Sequence, residues 1–234
     1  MSGPSPVLAD MVPALGQHGL HVRGVVHFPG GQGGPALSGG GHARAVVLIG
    51  NVGGSLWEAF CNWRQRQADR GGEHPLDAWS KAVIGDIAQH FGATPYYPSD
   101  QPYQPFQQWA MQAEGLRASP LGILIHPQYG LWHGYRGALG FAGEIEGEAR
   151  PPSDREICEA CPDKPCLSTC PVTAVLRDRF DVAGCRSHLV TTEGKAGCMA
   201  RGCLARAACP VGSHYRYPEA QLRFHMEALR LPSG

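Results

Sequence analysis

The sequence predicts an α+β protein in two parts, a layered domain over residues 1–150 and a small cysteine-rich domain over 151–215 that runs into a helical tail, 216–234. Three observations predict it. Helical and strand periodicities intermingle through the first 150 residues without strict alternation of the two. Eight of the nine cysteines fall between Cys158 and Cys209. Immediately before them stands Arg150-Pro151-Pro152-Ser153, whose composition suits a linker between domains.

The elements follow in order. Val7 to Gln17 carries apolar residues at Val7, Leu8, Met11, Val12 and Leu15, the spacing of a short amphipathic helix, with Gly19 just past its end. Leu20, Val22, Gly24, Val26 and Phe28 alternate as one face of a half-buried strand. Gly30 to Gly41 reads as a flexible surface loop by composition. Ala43 to Ile49 is a more fully buried strand, followed by the turn Gly50–Ser55 and a helix over Leu56–Asp69 with Ser55 as N-cap. Pro75 starts a helix to Phe91 whose apolar face holds Leu76, Trp79, Val83, Ile84 and Ile87. Thr94–Tyr97 predicts a strand and Pro105–Glu114 a short helix. Strands over Leu121–Ile125 and Leu131–Phe141 then flank a turn at His126–Gly130.

Bulk composition narrows the function classes. The chain is 43% hydrophobic and 17% charged, which excludes disorder as its general state. Twenty basic residues balance twenty acidic ones, so no global positive field holds nucleic acid, and none is expected as a partner. Met1 to Asp10 has no export-signal pattern, and the apolar runs are too short to span a bilayer, so a cytoplasmic location and no membrane partner are expected. Nine cysteines in that compartment point to metal ligation or redox chemistry rather than disulfides.

The cysteine spacing is specific. Cys158, Cys161, Cys166 and Cys170-Pro171 form C-x2-C-x4-C-x3-C-P, and Cys185, Cys198, Cys203 and Cys209-Pro210 follow. The segments ending in Cys-Pro-Val echo each other, as in two-cluster ferredoxins, where the fourth cysteine of each run ligates the other cluster. The expected ligands of one 4Fe-4S cluster are therefore Cys158, Cys161, Cys166 and Cys209, and of the other Cys170, Cys185, Cys198 and Cys203. Zinc is the competing reading, but zinc ribbons use separated C-x2-C pairs and need no terminal proline. Cys61, alone on a helix, reads as a small core hydrophobe.

Pro120-Leu-Gly-Ile-Leu-Ile-His-Pro-Gln-Tyr-Gly-Leu-Trp-His-Gly-Tyr-Arg-Gly-Ala-Leu139 resembles the core motif of CblC-type (MMACHC-like) cobalamin-processing proteins, and Ala88–Tyr97 and Leu15–Pro29 are similar to other segments of that family. The cysteine region looks instead like the cluster domain of epoxyqueuosine reductases and reductive dehalogenases, including Cys185-Arg-Ser-His-Leu-Val-Thr-Thr-Glu193. The resemblances imply a nitroreductase-like layered domain followed by a two-cluster ferredoxin-like domain. They also imply base-off cobalamin as a cofactor and a flavoprotein or ferredoxin reductase as electron donor. Corrin contacts are implied at Tyr96, Tyr97, Leu121, Gly122, Leu124, His126, Pro127, Tyr129, Trp132 and Arg136. Ala118-Ser119-Pro120-Leu121 stands where epoxyqueuosine reductases have a GKNT-like turn, and no D-x-H-x-x-G sequence occurs.

Each residue also has a plainer reading. His126 either touches the corrin or caps its turn by hydrogen bonding. Arg136 either forks onto a ligand anion or forms an ion pair. Tyr96, Tyr97, Tyr129 and Trp132 form either a wall for a large amphipathic ligand or core filling. Gly50–Ser55 is either a phosphate-binding turn or a tight strand–helix connection, and it lacks the P-loop lysine. The expected activity is an oxidoreductase passing electrons from two clusters to a corrinoid cobalt for removal of its upper ligand. The alternatives are a corrinoid-dependent reductase of an organic substrate, with Tyr97, Tyr129, Tyr135 and His133 as possible proton donors by type, and a ferredoxin-like carrier.

Overall fold

The computed structural model describes residues 6–147, 157–229 and 231, so the linker candidate at 150–153 lies outside the described residues. The chain divides into two compact units, Met1–Gly115 with Gly134–Pro152, and Leu116–His133 with Ser153–Gly234. Leu116–His133 thus sits with the cysteine-rich residues, although the sequence places it before the boundary. Hydrophobic burial is the reason. Leu121, Ile125 and Leu131 share one buried cluster with Val175, Ala205 and Cys209, and apolar area removed from water binds segments regardless of their distance along the chain.

The first unit is built on a four-stranded sheet of β1 (His21–His27), β2 (Ala45–Val52), β3 (Thr94–Tyr96) and β6 (His133–Phe141), in the order β1-β2-β6-β3. The β1–β2 and β3–β6 pairs are antiparallel. In β2 every residue from Ala45 to Asn51 is buried, so both faces of that strand are covered. The strand continues through Gly50–Val52, where the sequence predicts a turn. Gly50 permits this: a Cβ there would lie 2.0 Å from the Gly134 carbonyl oxygen on neighbouring β6.

Helix α1 (Pro6–Gly16) buries Leu8, Met11 and Leu15, three residues on one face. Helix α2 (Trp57–Arg66) buries Phe60, and α3 (Pro75–His90) buries Leu76, Trp79, Val83, Ile84 and Ile87, the face its periodicity predicts. Fully burying side chains of this size contributes roughly 1.5–3 kcal/mol each. Leu56, not Ser55, is the N-cap of α2 and gives no side-chain cap. The Ser55 hydroxyl donates instead to the Gly19 carbonyl oxygen at 2.6 Å, and a Cβ on Gly19 (φ +65) would overlap the Ser55 carbonyl. Helix α4 (Phe106–Glu114) buries Phe106, Trp109, Ala110 and Ala113.

Two expectations change. In β1 the buried residues are Arg23, Val25 and Val26, because the register shifts between Val22 and Val25 and switches the parity of the alternation. Gly24 at φ +120 sits inside that irregularity, close enough to Ala113 that an added Cβ would stand 2.9 Å from the alanine methyl. The glycine-rich loop is held in place rather than loose. Ser38 bonds the Thr94 hydroxyl through its amide and its own hydroxyl, both at 3.0 Å, and the Tyr96 hydroxyl donates to the Ala36 carbonyl at 2.9 Å.

The second unit opens with a two-residue ladder of β4 (Arg117–Ala118) and β5 (Leu124–Ile125). It replaces the longer strand predicted at Leu121–Ile125, because the Ser119 amide and hydroxyl both donate to the Ile123 carbonyl and close a tight turn. Short helices follow: α5 (Pro165–Thr169), α6 (Val182–Leu189), α7 (Thr192–Gly194), a π-turn over Lys195–Met199, α8 (Leu204–Ala207) and α9 (Glu219–Glu227). Asp181 caps α6 by accepting from the Gly184 amide, and Thr191 caps α7 by accepting from Gly194. No helix of the described residues is long and apolar enough to cross a membrane.

Candidate functional site

The cysteines of the second unit fall into two electrostatic groups. Burial first, then the neighbouring sulfurs of Cys209, Cys166 and Cys161, push the Cys158 thiol up to about 11. Cys166 and Cys209 are raised by burial and both feel Cys161. In the other group, burial and then Cys203, Cys170 and Cys198 push Cys185 up to about 11, and Cys203 is raised by burial with Cys198 and Cys170 as neighbours. None of these five shifted thiols has a sulfur of the opposite group among its electrostatic neighbours. All nine cysteines are free of disulfides.

Among the described residues no group of three or more histidine, cysteine or carboxylate side chains converges tightly enough for a single metal ion. Four of the thiols nonetheless meet backbone donors. The Ala174 amide donates to Cys170 Sγ at 3.2 Å. Amides at Ala205 and Arg206 favour the Cys203 thiolate, those at Cys166 and Leu167 favour Cys166, and that of Val211 favours Cys209. Donors aimed at sulfur lower the cost of its charged form, while mutual repulsion among buried sulfurs raises it. A positive centre among each four would resolve that conflict, because metal ligands must be thiolates.

The cavity beside the first group is lined by Cys158, Cys161, Cys166, Cys209 and Lys164, and by Pro120 and Ile125 of the segment that follows α4. Its empty volume is about 350 Å³, part of it open to solvent. Within that segment Leu121 is buried, Gly122 (φ +75) and Ile123 are exposed, and Leu124 is half-buried on β5. His126 is fully buried. Its Nδ1 accepts from the Gln128 and Tyr129 amides at 3.0 and 3.1 Å, and its ring stacks on Tyr129 at 4.1 Å, the geometry of a turn-capping histidine. Pro127 is exposed at the tip, and Tyr129 meets Tyr215 edge-on at 5.0 Å. Trp132 is buried beneath the Arg206 guanidinium, 4.4 Å away. His133 Nε2 lies 3.2 Å from the Leu124 carbonyl oxygen.

The remaining candidates belong to the first unit. Tyr96 is buried, and burial pushes its phenol up to about 12. Tyr97, also raised to about 12 by burial and then by Asp100 and Asp86, donates to the Lys81 carbonyl at 3.2 Å. Arg136 forms an ion pair with Asp77, and its Nε donates to the Ser80 hydroxyl at 3.0 Å. A constellation that sequence reasoning misses lies on β1. Arg23, with 2% of its side chain exposed, pairs with Glu114 at 3.0 Å and donates to the Asn51 carbonyl, while the Tyr135 hydroxyl donates to the same carboxylate. Arginine on a strand reads as an outward residue until the register shift turns it inward.

The chain is similar in structure to a C. elegans B12-trafficking protein CblC, a human MMACHC homologue, with a TM-score of 0.52 over 93% of this chain and 91% of that one, at 13% sequence identity. The fold is CblC-like. No protein-family model matches the chain, and no curated protein matches it.

A CblC-like fold accounts for the sheet and its helices, and it distributes the candidates unevenly. Leu121, Gly122, Leu124, His126, Pro127, Tyr129 and Trp132 lie in the second unit, and Tyr96, Tyr97 and Arg136 in the first. Among the first seven, only Gly122 and Pro127 are exposed and Leu124 and Tyr129 half-buried. Cys61 is half-buried on α2, its thiol raised by burial with Arg64 opposing, so it fills the core only in part.

Proposed function

We propose that this protein is an iron–sulfur cobalamin reductase, which receives single electrons through two 4Fe-4S clusters and reduces a bound corrinoid so that its upper ligand is released. The observation that carries the reading is the sorting of eight thiols into two groups of four. Cys158, Cys161, Cys166 and Cys209 form one group, and Cys170, Cys185, Cys198 and Cys203 the other. The pairing runs across the two Cys-Pro runs, as two-cluster ferredoxins require.

Four cysteines in each group match the ligand number of a 4Fe-4S cubane, which spreads its thiolates over four iron atoms. When bound, such clusters supply one electron at a time at a potential tuned by burial, charge and hydrogen bonds to sulfur. Backbone amides at Ala174, Ala205, Arg206 and Val211 hold the thiolate charge.

For the corrinoid, which is the substrate in this reading, support comes from the CblC-like fold and from the B12-trafficking role in that neighbour's name. Exposed Gly122 and Ile123 present a backbone surface with one apolar side chain, suited to a flat macrocycle face, in a segment whose Leu121, His126 and Trp132 are buried. Electrons added to cobalt weaken its axial bond, because they occupy antibonding orbitals. The donor is expected to be a flavoprotein or a ferredoxin reductase. Reduction of an organic substrate would need a proton donor directed outward; of the four candidates by type, the Tyr97 and Tyr135 hydroxyls donate within the protein and His133 Nε2 faces the Leu124 carbonyl. Processing is the reading we adopt, on the strength of the CblC-like fold.

The test is anaerobic purification with iron and sulfide assays, followed by cobalamin titration with the corrin spectrum recorded. Iron and sulfide for two cubanes, base-off features, and cobalt reduction by the dithionite-reduced protein are expected. Stoichiometric zinc in place of iron, or an unaltered corrin spectrum, would overturn the proposal.

A further inference from the structure

Lys164 occupies an unusual place. It precedes Pro165 at the start of α5, with its backbone in the left-handed region (φ 38), where a lysine is rarely found. Only 15% of its side chain is exposed. It lines the same cavity as the sulfur-bearing residues Cys158, Cys161, Cys166 and Cys209. Its ammonium acts electrostatically on Cys158 and Cys166 and is paired with the exposed Glu159 at 3.2 Å. The other group of four has an acid instead: Asp181, the N-cap of α6, acts on Cys185 one turn along that helix.

Resting on the iron–sulfur reading above, we infer that Lys164 is a positioning residue that sets the order of reduction, making the cluster held by Cys158, Cys161, Cys166 and Cys209 the more easily reduced of the two. Adding an electron makes a cluster more negative by one charge. A nearby ammonium stabilises that state, and a nearby carboxylate destabilises it. An electron from the one-electron donor therefore moves from the cluster of Cys170, Cys185, Cys198 and Cys203, which is oxidised, to that beside Lys164, which is reduced. Pro120 and Ile125 line the same cavity, so the electron comes to rest beside the segment proposed to meet the corrinoid. This orders the two clusters as entry and exit.

The experiment is a redox titration of the anaerobic full-length protein followed by EPR, with the two signals assigned through Cys166→Ser. Lys164→Gln is expected to reduce the reduced-to-oxidised ratio of the Cys166 cluster about tenfold at the wild-type midpoint, about 59 mV for a one-electron couple. Lys164→Arg keeps the wild-type midpoint, Glu159→Gln shifts it in the opposite direction, and the second cluster is unmoved in all three. Glu159→Gln reports on the inference even if Lys164→Gln fails to assemble. Intact signals with an unmoved midpoint in Lys164→Gln, or equal shifts in both clusters, would overturn the ordering and leave the function proposal standing. Wild-type protein without cluster signals would remove the function proposal itself.

Discussion

Arg206 ties α8 to the segment carrying the His126 turn, and its replacement by methionine gives the most quantitative test of the second unit. The guanidinium stands 4.4 Å from the Trp132 ring centroid and 4.8 Å from that of Tyr217, and it donates to the Leu131 carbonyl. Each cation–π contact contributes about 0.5–2 kcal/mol depending on desolvation. A hydrogen bond from a charged donor adds about 1.5–3 kcal/mol. Methionine keeps part of the apolar contact, and contributions that share one group do not add fully. The expected loss is therefore about 3 kcal/mol, with Arg206→Lys losing roughly half of that because an ammonium cannot cover both rings while forking onto a carbonyl. For a chain of this size such a loss lowers the midpoint of thermal unfolding by about 6–12 °C. The assay is unfolding of anaerobic protein followed by tryptophan fluorescence and near-UV circular dichroism, with iron content measured in parallel. Cys203 and Cys209 bracket α8, so both clusters are expected to become more labile together. A change within about 0.5 kcal/mol, the ordinary range for surface substitutions, would refute the argument that this cation holds the unit together.

Four other outcomes are expected. Gly130→Ala places a Cβ 1.9 Å from the Val211 carbonyl at a backbone φ of +58, so it loses about 2–4 kcal/mol from strain and overlap together, read by guanidinium denaturation. Cys166→Ser removes one cluster, seen as loss of one EPR signal, while corrin affinity measured by spectral titration stays close to wild type. Arg136→Met loses about 1–2 kcal/mol through the Asp77 and Ser80 contacts without weakening corrin binding, whereas a marked drop in affinity would show that Arg136 contacts ligand. Burial lowers the His18 pKa below 6.5 with Asp86 opposing, so the unfolded chain takes up the proton more readily than the folded one. That contribution is fully present above pH 6.5 and declines as pH falls below it until the folded pKa is passed. His18→Gln is expected to flatten the decline, checked by urea denaturation at several pH values.

Much of the first unit was legible because local rules coincide there with tertiary ones. Pro75 at a helix start and the Leu76–Ile87 face led to a helix whose observed end, His90, differs from expectation by one residue. Readings failed where a contact distant in sequence decided the outcome. Ser55 looks like a cap until Gly19 takes its hydroxyl. The alternation in β1 points Val22 inward until the register shifts, after which Arg23 is buried against Glu114. At His126 the sequence left two readings open, and the Nδ1 bonds to the Gln128 and Tyr129 amides match the turn-capping one.

The sequence alone led to the helices of the first unit and the buried central strand, and it suggested two interleaved sets of cysteines, because hydrophobic periodicity and ligand spacing are local properties written residue by residue. Only the tertiary structure decided that Leu116–His133 packs with the cysteine-rich residues and that Pro120 and Ile125 line the cavity of one thiol group. Those choices depend on burial among residues far apart in the chain, whose partners become visible only once the backbone has folded.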